Sequence, residues 1–175
     1  MKIIDLSQIL YDHMPVYPGD PDVIIKKVFS FEKNGWNMNR IEINSHDGTH
    51  VNIPIHGTKN GRNLDTYSID DFIGESHLYS NEKDIQKDCG LIFYSVPLDW
   101  KIARKIAVIK PKFIGLSDKF EFDIEIEKFL LDKEIISYER LENCQKLPKK
   151  FIFYGVPLKI KEADGSPVRA FATYE

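Results

Sequence analysis

Apolar positions along this chain come in short runs broken by turn residues. Residues 2–6 and 23–31 are rich in isoleucine, valine and phenylalanine and read as strands. Residues 38–45 alternate, with Ile41 and Ile43 on one face and Arg40, Glu42 and Asn44 on the other, which predicts a half-buried strand. Asn34-Gly35 marks a turn between the last two runs. Further on, 90–96, 112–116, 135–138 and 151–156 read as strands. Between them, Asp99 is placed to cap a helix running to about Ile109, and 123–133 carries a second helical pattern. There is no repeat, low-complexity tract or linker, so the pattern predicts mixed α and β structure in one layered domain spanning 1–175.

Composition narrows the function more than the fold. The chain has 175 residues, 42% hydrophobic and 29% charged, enough for one core and too apolar for disorder. Its 24 basic and 27 acidic residues are interspersed and leave a net charge of -3. A nucleic-acid binder or anionic-membrane binder needs a concentrated positive surface, so neither is expected. The longest apolar run, 151–158, contains Gly155 and Pro157 and is too short to cross a bilayer. The first six residues lack the apolar stretch of a signal peptide, and Cys89 and Cys144 form no ligand pair, so a reduced, cytoplasmic protein is expected.

Three of the five histidines fall in one window, 46–56: His46-Asp47-Gly48-Thr49-His50-Val51-Asn52-Ile53-Pro54-Ile55-His56. Imidazole is both the commonest acid/base near neutral pH and a common metal ligand. On a straight strand His46 and His50 would stand roughly 13 Å apart, at about 3.3 Å per residue, too far to share an ion. A helix would bring them together, but Gly48, Thr49, Val51 and Pro54 are poor helix formers. The remaining solution is a strand ending near Ser45, a bend at Asp47-Gly48, and rings converging from the loop. A lone histidine is usually a surface group or a core group satisfied by backbone. Three around one Gly-Thr bend favour a metal or acid–base site, although the bland reading stays open for each.

His46-x-Gly48-Thr49-His50 followed by Pro54-x-His56 resembles the signature of the metal-dependent cyclase hydrolases, a family that includes bacterial kynurenine formamidases (arylformamidases) and the related isatin hydrolases. Other segments agree in order along the chain: Asp5-Leu6-Ser7, the stretch 14–21, Ile73-Gly74, Glu139-x-Leu141-x-Asn143, and the C-terminal 164–170 segment, Asp-Gly-Ser-Pro-Val-Arg-Ala. The resemblance implies an α/β fold of the family's swivelling β/β/α type, a mixed sheet with a few helices assembled as a homodimer or homotetramer. It also implies a divalent metal, zinc or next manganese, held by His46 and His50 and completed from Asn52, Glu127 and Glu139. His56 takes the place of the general acid/base. The implied activity is hydrolysis of a small amide, cyclic amide or ester, as in conversion of N-formylkynurenine to kynurenine and formate.

Two positions depart from that pattern. Asn52 stands where the family carries an aspartate ligand, and Glu127 where it carries a histidine. Asn52 brings an oxygen but no charge. Glu127 falls within the apolar arc formed by Ile124, Leu130 and Leu131, where a carboxylate needs a partner or a cation. Ser117 stands where a further motif has aspartate, and the 91–109 stretch is short for the family. These departures open a second reading, a catalytically impaired relative that binds a small molecule or a partner protein. Candidate substrate contacts are Tyr17 and Asp20, beside the Pro-Gly-Asp-Pro turn, and Arg169, whose guanidinium suits a carboxylate although a structural ion pair is its commoner use.

Overall fold

Two aspartate caps fix the crossovers on which the architecture is built. In the computed structural model, which describes residues 1–175, Asp99 accepts a bond from Ile102 N at 2.8 Å and opens the helix Trp100–Ile109. Asp123 accepts from Glu125 N and Ile126 N at 2.9 and 3.1 Å and opens the helix Ile124–Asp132. In chain order the elements are β1 (Lys2–Asp5), β2 (Ile24–Phe29), α1 (Phe31–Asn34), β3 (Met38–Glu42), β4 (His50–Asn52), α2 (Pro54–Gly57), β5 (Ile73–Leu78) and β6 (Gly90–Phe93). They continue with α3 (Trp100–Ile109), β7 (Phe113–Ser117), α4 (Ile124–Asp132), β8 (Ile136–Leu141), β9 (Lys150–Tyr154), β10 (Gly165–Pro167) and β11 (Phe171–Tyr174).

Nine strands form one mixed sheet in the order β1-β11-β9-β5-β6-β7-β8-β4-β10. Strands β5 to β8 run parallel, linked by α3 and α4; the others pair antiparallel. Side chains alternate across β7. Ile114 and Leu116 pack with Ile102, Ile106, Ile126 and Leu130 of the helices, and Phe113 packs on the opposite face. Each such buried aliphatic side chain contributes roughly 1.5–3 kcal/mol.

The second core draws from both ends of the strand order. Ile4 of β1 and Ala172 of β11 share it with Val51 of β4 and Ile136, Tyr138 and Leu141 of β8. The sheet therefore curls, and the residue after β1 seals the closure: Leu6 N donates to Ala170 O, and Leu6 O accepts from Glu142 N, both at 2.9 Å. No helix is long and apolar enough to cross a membrane. Both cysteines are free thiols.

The helices and the strands at 2–6, 23–31, 90–96, 112–116, 135–138 and 151–156 lie where the sequence places them, within a few residues at their ends. The half-buried strand expected at 38–45 is a correction. β3 pairs only with β2, in a separate two-stranded ribbon, and all five of its residues are exposed. Ile41 is 58% exposed because no second layer covers the ribbon.

Candidate metal and acid–base site

The histidine loop is folded by its own backbone chemistry. Asn44 N donates to Asp47 Oδ2 at 2.6 Å, which tightens the turn after β3. Gly48 then takes φ +61, a left-handed conformation that side chains disfavour, and a Cβ there would meet Leu10 Cδ2 at 2.6 Å. Thr49 anchors the far side: its hydroxyl donates to Arg140 O at 2.7 Å and accepts from Gln8 N at 2.9 Å. The rings of His46 and His50 end with centroids 5.3 Å apart. The bend thus achieves what a straight strand could not.

β4 carries His50, Val51 and Asn52 beside β8, with His50 opposite Glu139 and Asn52 opposite Ser137. Val51 points into the curled core with Ile136 and Tyr138, so His50, Asn52, Ser137 and Glu139 share the other face. A bulge follows. Arg140 takes φ +56, and three steps in β8 from Tyr138 to Leu141 oppose two in β7. Arg140 absorbs the extra residue, which returns Leu141 to the core while Glu139 stays on the site face.

Asn52 lies at the centre. Its Nδ2 donates to Glu127 Oε1 at 2.6 Å and Glu139 Oε1 at 2.8 Å. Two carboxylates can only be met by the NH2 end of the amide, so Oδ1 faces His46 Nδ1, 2.7 Å away. Ser137 Oγ also donates to Glu127, at 3.2 Å. Burial and the neighbouring charge of Glu139 raise the Glu127 carboxyl above its ordinary pKa. Burial pushes Glu139 the same way, but its contacts with His50 and Asn52 outweigh this and hold it below the ordinary value.

His56 lies on α2, which Pro54 opens. Its ring sits 3.9 Å from that of His46, centroid to centroid. Asp164, beside β10, meets both: its Oδ2 is 2.9 Å from His46 Nε2 and 3.3 Å from His56 Nδ1. The bonds from His46 and His56 hold its carboxyl well below the usual carboxylate range. Gly165 permits the approach, since a Cβ there would stand 2.7 Å from His46 Cε1.

The donor set fits a divalent cation. His50 Nδ1 lies 2.8 Å from Gly48 O and its Nε2 3.4 Å from Glu139 Oε1; a proton on Nε2 joins the ring to Glu139 in the metal-free chain, and a cation would take that proton's place. If His46 donates through Nε2 to Asp164, its Nδ1 presents a lone pair to Asn52 Oδ1. Acceptors facing acceptors at these separations require a proton or a cation between them. Two ligands of one ion, each bound at about 2.0–2.2 Å, are themselves about 3.3–3.6 Å apart in a tetrahedral site. The sequence-derived residues His46, His50, Asn52, Glu127 and Glu139 are thus joined by pairwise contacts through Asn52 and Glu139, whereas the ligand atoms that all lie within 4.8 Å of one another belong to His46, His56 and Asp164.

The expected substrate contacts fall outside this group. Arg169 Nε and Nη2 bond Asp5 at 3.0 and 2.5 Å, so this arginine holds a carboxylate of its own chain, and the ion pair is its observed role. Tyr17 and Asp20 are exposed and close a turn through Asp20 N to Tyr17 O at 3.0 Å. Neither bonds to the histidine group, although Asn44 Nδ2 ties Pro21 O to the loop at 2.8 Å. A groove of about 820 Å³ opens on the outer face of β5, β9 and β11, lined by Glu75, His77, Lys150, Ile152 and Tyr174, and no residue of the site reaches it. Asp164 is the residue that sequence reasoning left without a role. Its signal was the 164–170 segment, which carries no spacing relation to the histidines.

The sequence profile of the Cyclase family matches residues 4–166. The chain belongs to the Cyclase family. Among members with curated descriptions, it is 25% identical over 204 residues to a kynurenine formamidase of Geobacillus thermodenitrificans, covering 95% of each chain. It is 30% identical over 201 residues to an uncharacterised protein of Methanocaldococcus jannaschii, covering 98% of this chain and 99% of that one. Among solved structures, isatin hydrolase A from Ralstonia solanacearum superposes with a TM-score of 0.81 at 15% identity, over 99% of this chain and 92% of that one. The expected α/β Cyclase fold is the fold of this chain.

Proposed function

We propose that this Cyclase-family chain is a metal-dependent hydrolase of a small amide, cyclic amide or ester, with arylformamidase-like chemistry. The observation that carries the reading is the clustering of His46, His56 and Asp164, whose ligand atoms lie within 4.8 Å of one another, next to the contact network of His50, Asn52, Glu127 and Glu139. The names of the kynurenine formamidase and isatin hydrolase relatives support an amide or cyclic amide as the substrate class. Mixed imidazole and oxygen donors without thiolate suit zinc, with manganese next.

A divalent ion held by these residues supplies a Lewis acid that makes water more acidic and polarises a carbonyl. The chain supplies the rest. His50 and Glu139 face each other from β4 and β8, so backbone pairing fixes their separation. Asn52 bridges Glu127 and Glu139 and keeps two carboxylates side by side. His56 accepts a proton from the attacking water at Nε2 and returns it to the departing nitrogen or oxygen. Tyr17 and Asp20 remain candidate substrate contacts on the turn tied to the loop.

The alternative of a non-catalytic binder is less well supported, because Glu127 returns the negative charge that Asn52 lacks. A second copy of this chain completes the proposed assembly, as a homodimer or homotetramer. The exposed ribbon side chains Trp36, Met38 and Ile41, 60%, 47% and 58% accessible, support a partner covering them.

A panel of N-formylkynurenine, cyclic imides and simple lactones, assayed with zinc- and manganese-loaded protein, tests the activity. Hydrolysis of at least one class is expected, abolished in His56→Ala with metal content intact. No turnover on any class contradicts the hydrolase reading, and joint loss of metal and activity in His56→Ala would make His56 a ligand.

A further inference from the structure

Asp164 stands between a proposed ligand and the proposed base. Its Oδ2 lies 2.9 Å from His46 Nε2 and 3.3 Å from His56 Nδ1, and Ser45 Oγ donates to its other oxygen at 2.8 Å. An ionised carboxylate only accepts, so the nitrogen that each ring turns toward it carries the proton. In a neutral ring the opposite nitrogen is then a lone pair. On His46 that is Nδ1, which faces Asn52 Oδ1 at 2.7 Å. On His56 it is Nε2, which bonds to no group of the chain.

We propose that Asp164 is a positioning residue that sets both tautomers at once, aiming one lone pair of His46 at the cation position and one of His56 at the reacting proton. The inference deepens the hydrolase reading and rests on it for its kinetic consequence. The logic is general: a metal-bound imidazole commonly donates its other N–H to a carboxylate, and a histidine base needs the same support to present the correct nitrogen. Here one oxygen serves both rings. Asp164 is half-exposed, with 42% of its side chain accessible, so its bonds add little to stability and their effect lies in orientation. Ser45 prevents the carboxylate from rotating away, and Gly165 lets the backbone approach His46 closely enough for the bond to form.

Long-range proton–nitrogen NMR correlation spectra of the ¹⁵N-labelled full chain, at alkaline pH with and without zinc, read the ring tautomers directly. The His56→Gln spectrum identifies the His56 signals. In the wild type His56 is expected to carry its proton on Nδ1. Asp164→Asn should move His56 toward the Nε2–H form and lower kcat by about 100-fold, with KM and metal content little changed, and Asp164→Glu should recover part of the rate. A wild-type His56 protonated on Nε2 would overturn the proposal without any variant. So would unchanged tautomers in Asp164→Asn. Loss of the metal with the carboxylate would instead make Asp164 a ligand, an outcome the geometry allows because its oxygen and the nitrogens of His46 and His56 lie within 4.8 Å of one another. The tautomers are read without substrate, so a failure to find hydrolysis sinks the enzyme reading alone.

Discussion

Asn52 Nδ2 donates to Glu127 Oε1 at 2.6 Å, so the two site positions that depart from the family pattern touch each other. One departure removes a negative charge and the other adds one. The formal charge of the donor set is therefore kept while its location moves from β4 to α4. That supports the proposed hydrolase, because a half-buried carboxylate needs a proton, a hydrogen-bond donor or a cation beside it.

Asn52→Asp tests this contact. The new carboxylate would face Glu127 and Glu139 with no amide proton between them, so the metal-free protein should lose stability. A cation should relieve that repulsion, so zinc or manganese affinity should rise by at least tenfold. Calorimetric titration and melting curves with and without chelator measure the two effects. Adding Glu127→His should restore metal-free stability, since it removes one of the three facing carboxylates.

Thr49→Val removes a hydroxyl that joins two distant segments, Gln8 N and Arg140 O. Both backbone groups lose a partner, at a cost of roughly 1–3 kcal/mol each at most. The bulge at Arg140 should loosen, and with it the placement of Glu139 opposite His50. Metal affinity is expected to fall several-fold, while Thr49→Ser keeps it. Equal affinities for the Val and Ser variants would show that the hydroxyl does not position the site.

Much of this was legible in the residues. The helices at 100–109 and 124–132 announce themselves by an aspartate cap and an apolar arc, and Gly48 between two histidines announces a bend. β5 does not: Ile73-Gly74-Glu75-Ser76-His77-Leu78 buries Ser76 and His77 and takes its strand character from β6 and β9 on either side. β10 is three residues long and is defined wholly by pairing with β4. Asp164 was illegible for the same reason. It comes 108 residues after His56 in the chain, and only the pairing of β4 with β10 brings it to the histidines.

Asp84 governs acid stability away from the site. Burial alone would raise its carboxyl, but Lys149 Nζ at 2.6 Å and the N–H groups of Ser80 and Asn81 hold it far below the ordinary value. A depressed carboxylate contributes stability that is present above its unfolded pKa and lost as pH falls toward its folded one. Asp84→Asn should therefore cost roughly 1.5–3 kcal/mol at pH 7, and urea midpoints of the two proteins should converge below pH 3. A gap that persists in acid would assign the effect to packing.

Everything proposed for the site requires that β4, β8 and α4 hold one divalent ion. Elemental analysis of the purified chain, followed by chelation and titration with zinc and manganese, addresses it directly. Close to one ion per chain is expected, rebound after chelation and lost in His50→Ala and Glu139→Gln. A clean protein that ignores both metals, with its melting temperature unmoved by either, would contradict it.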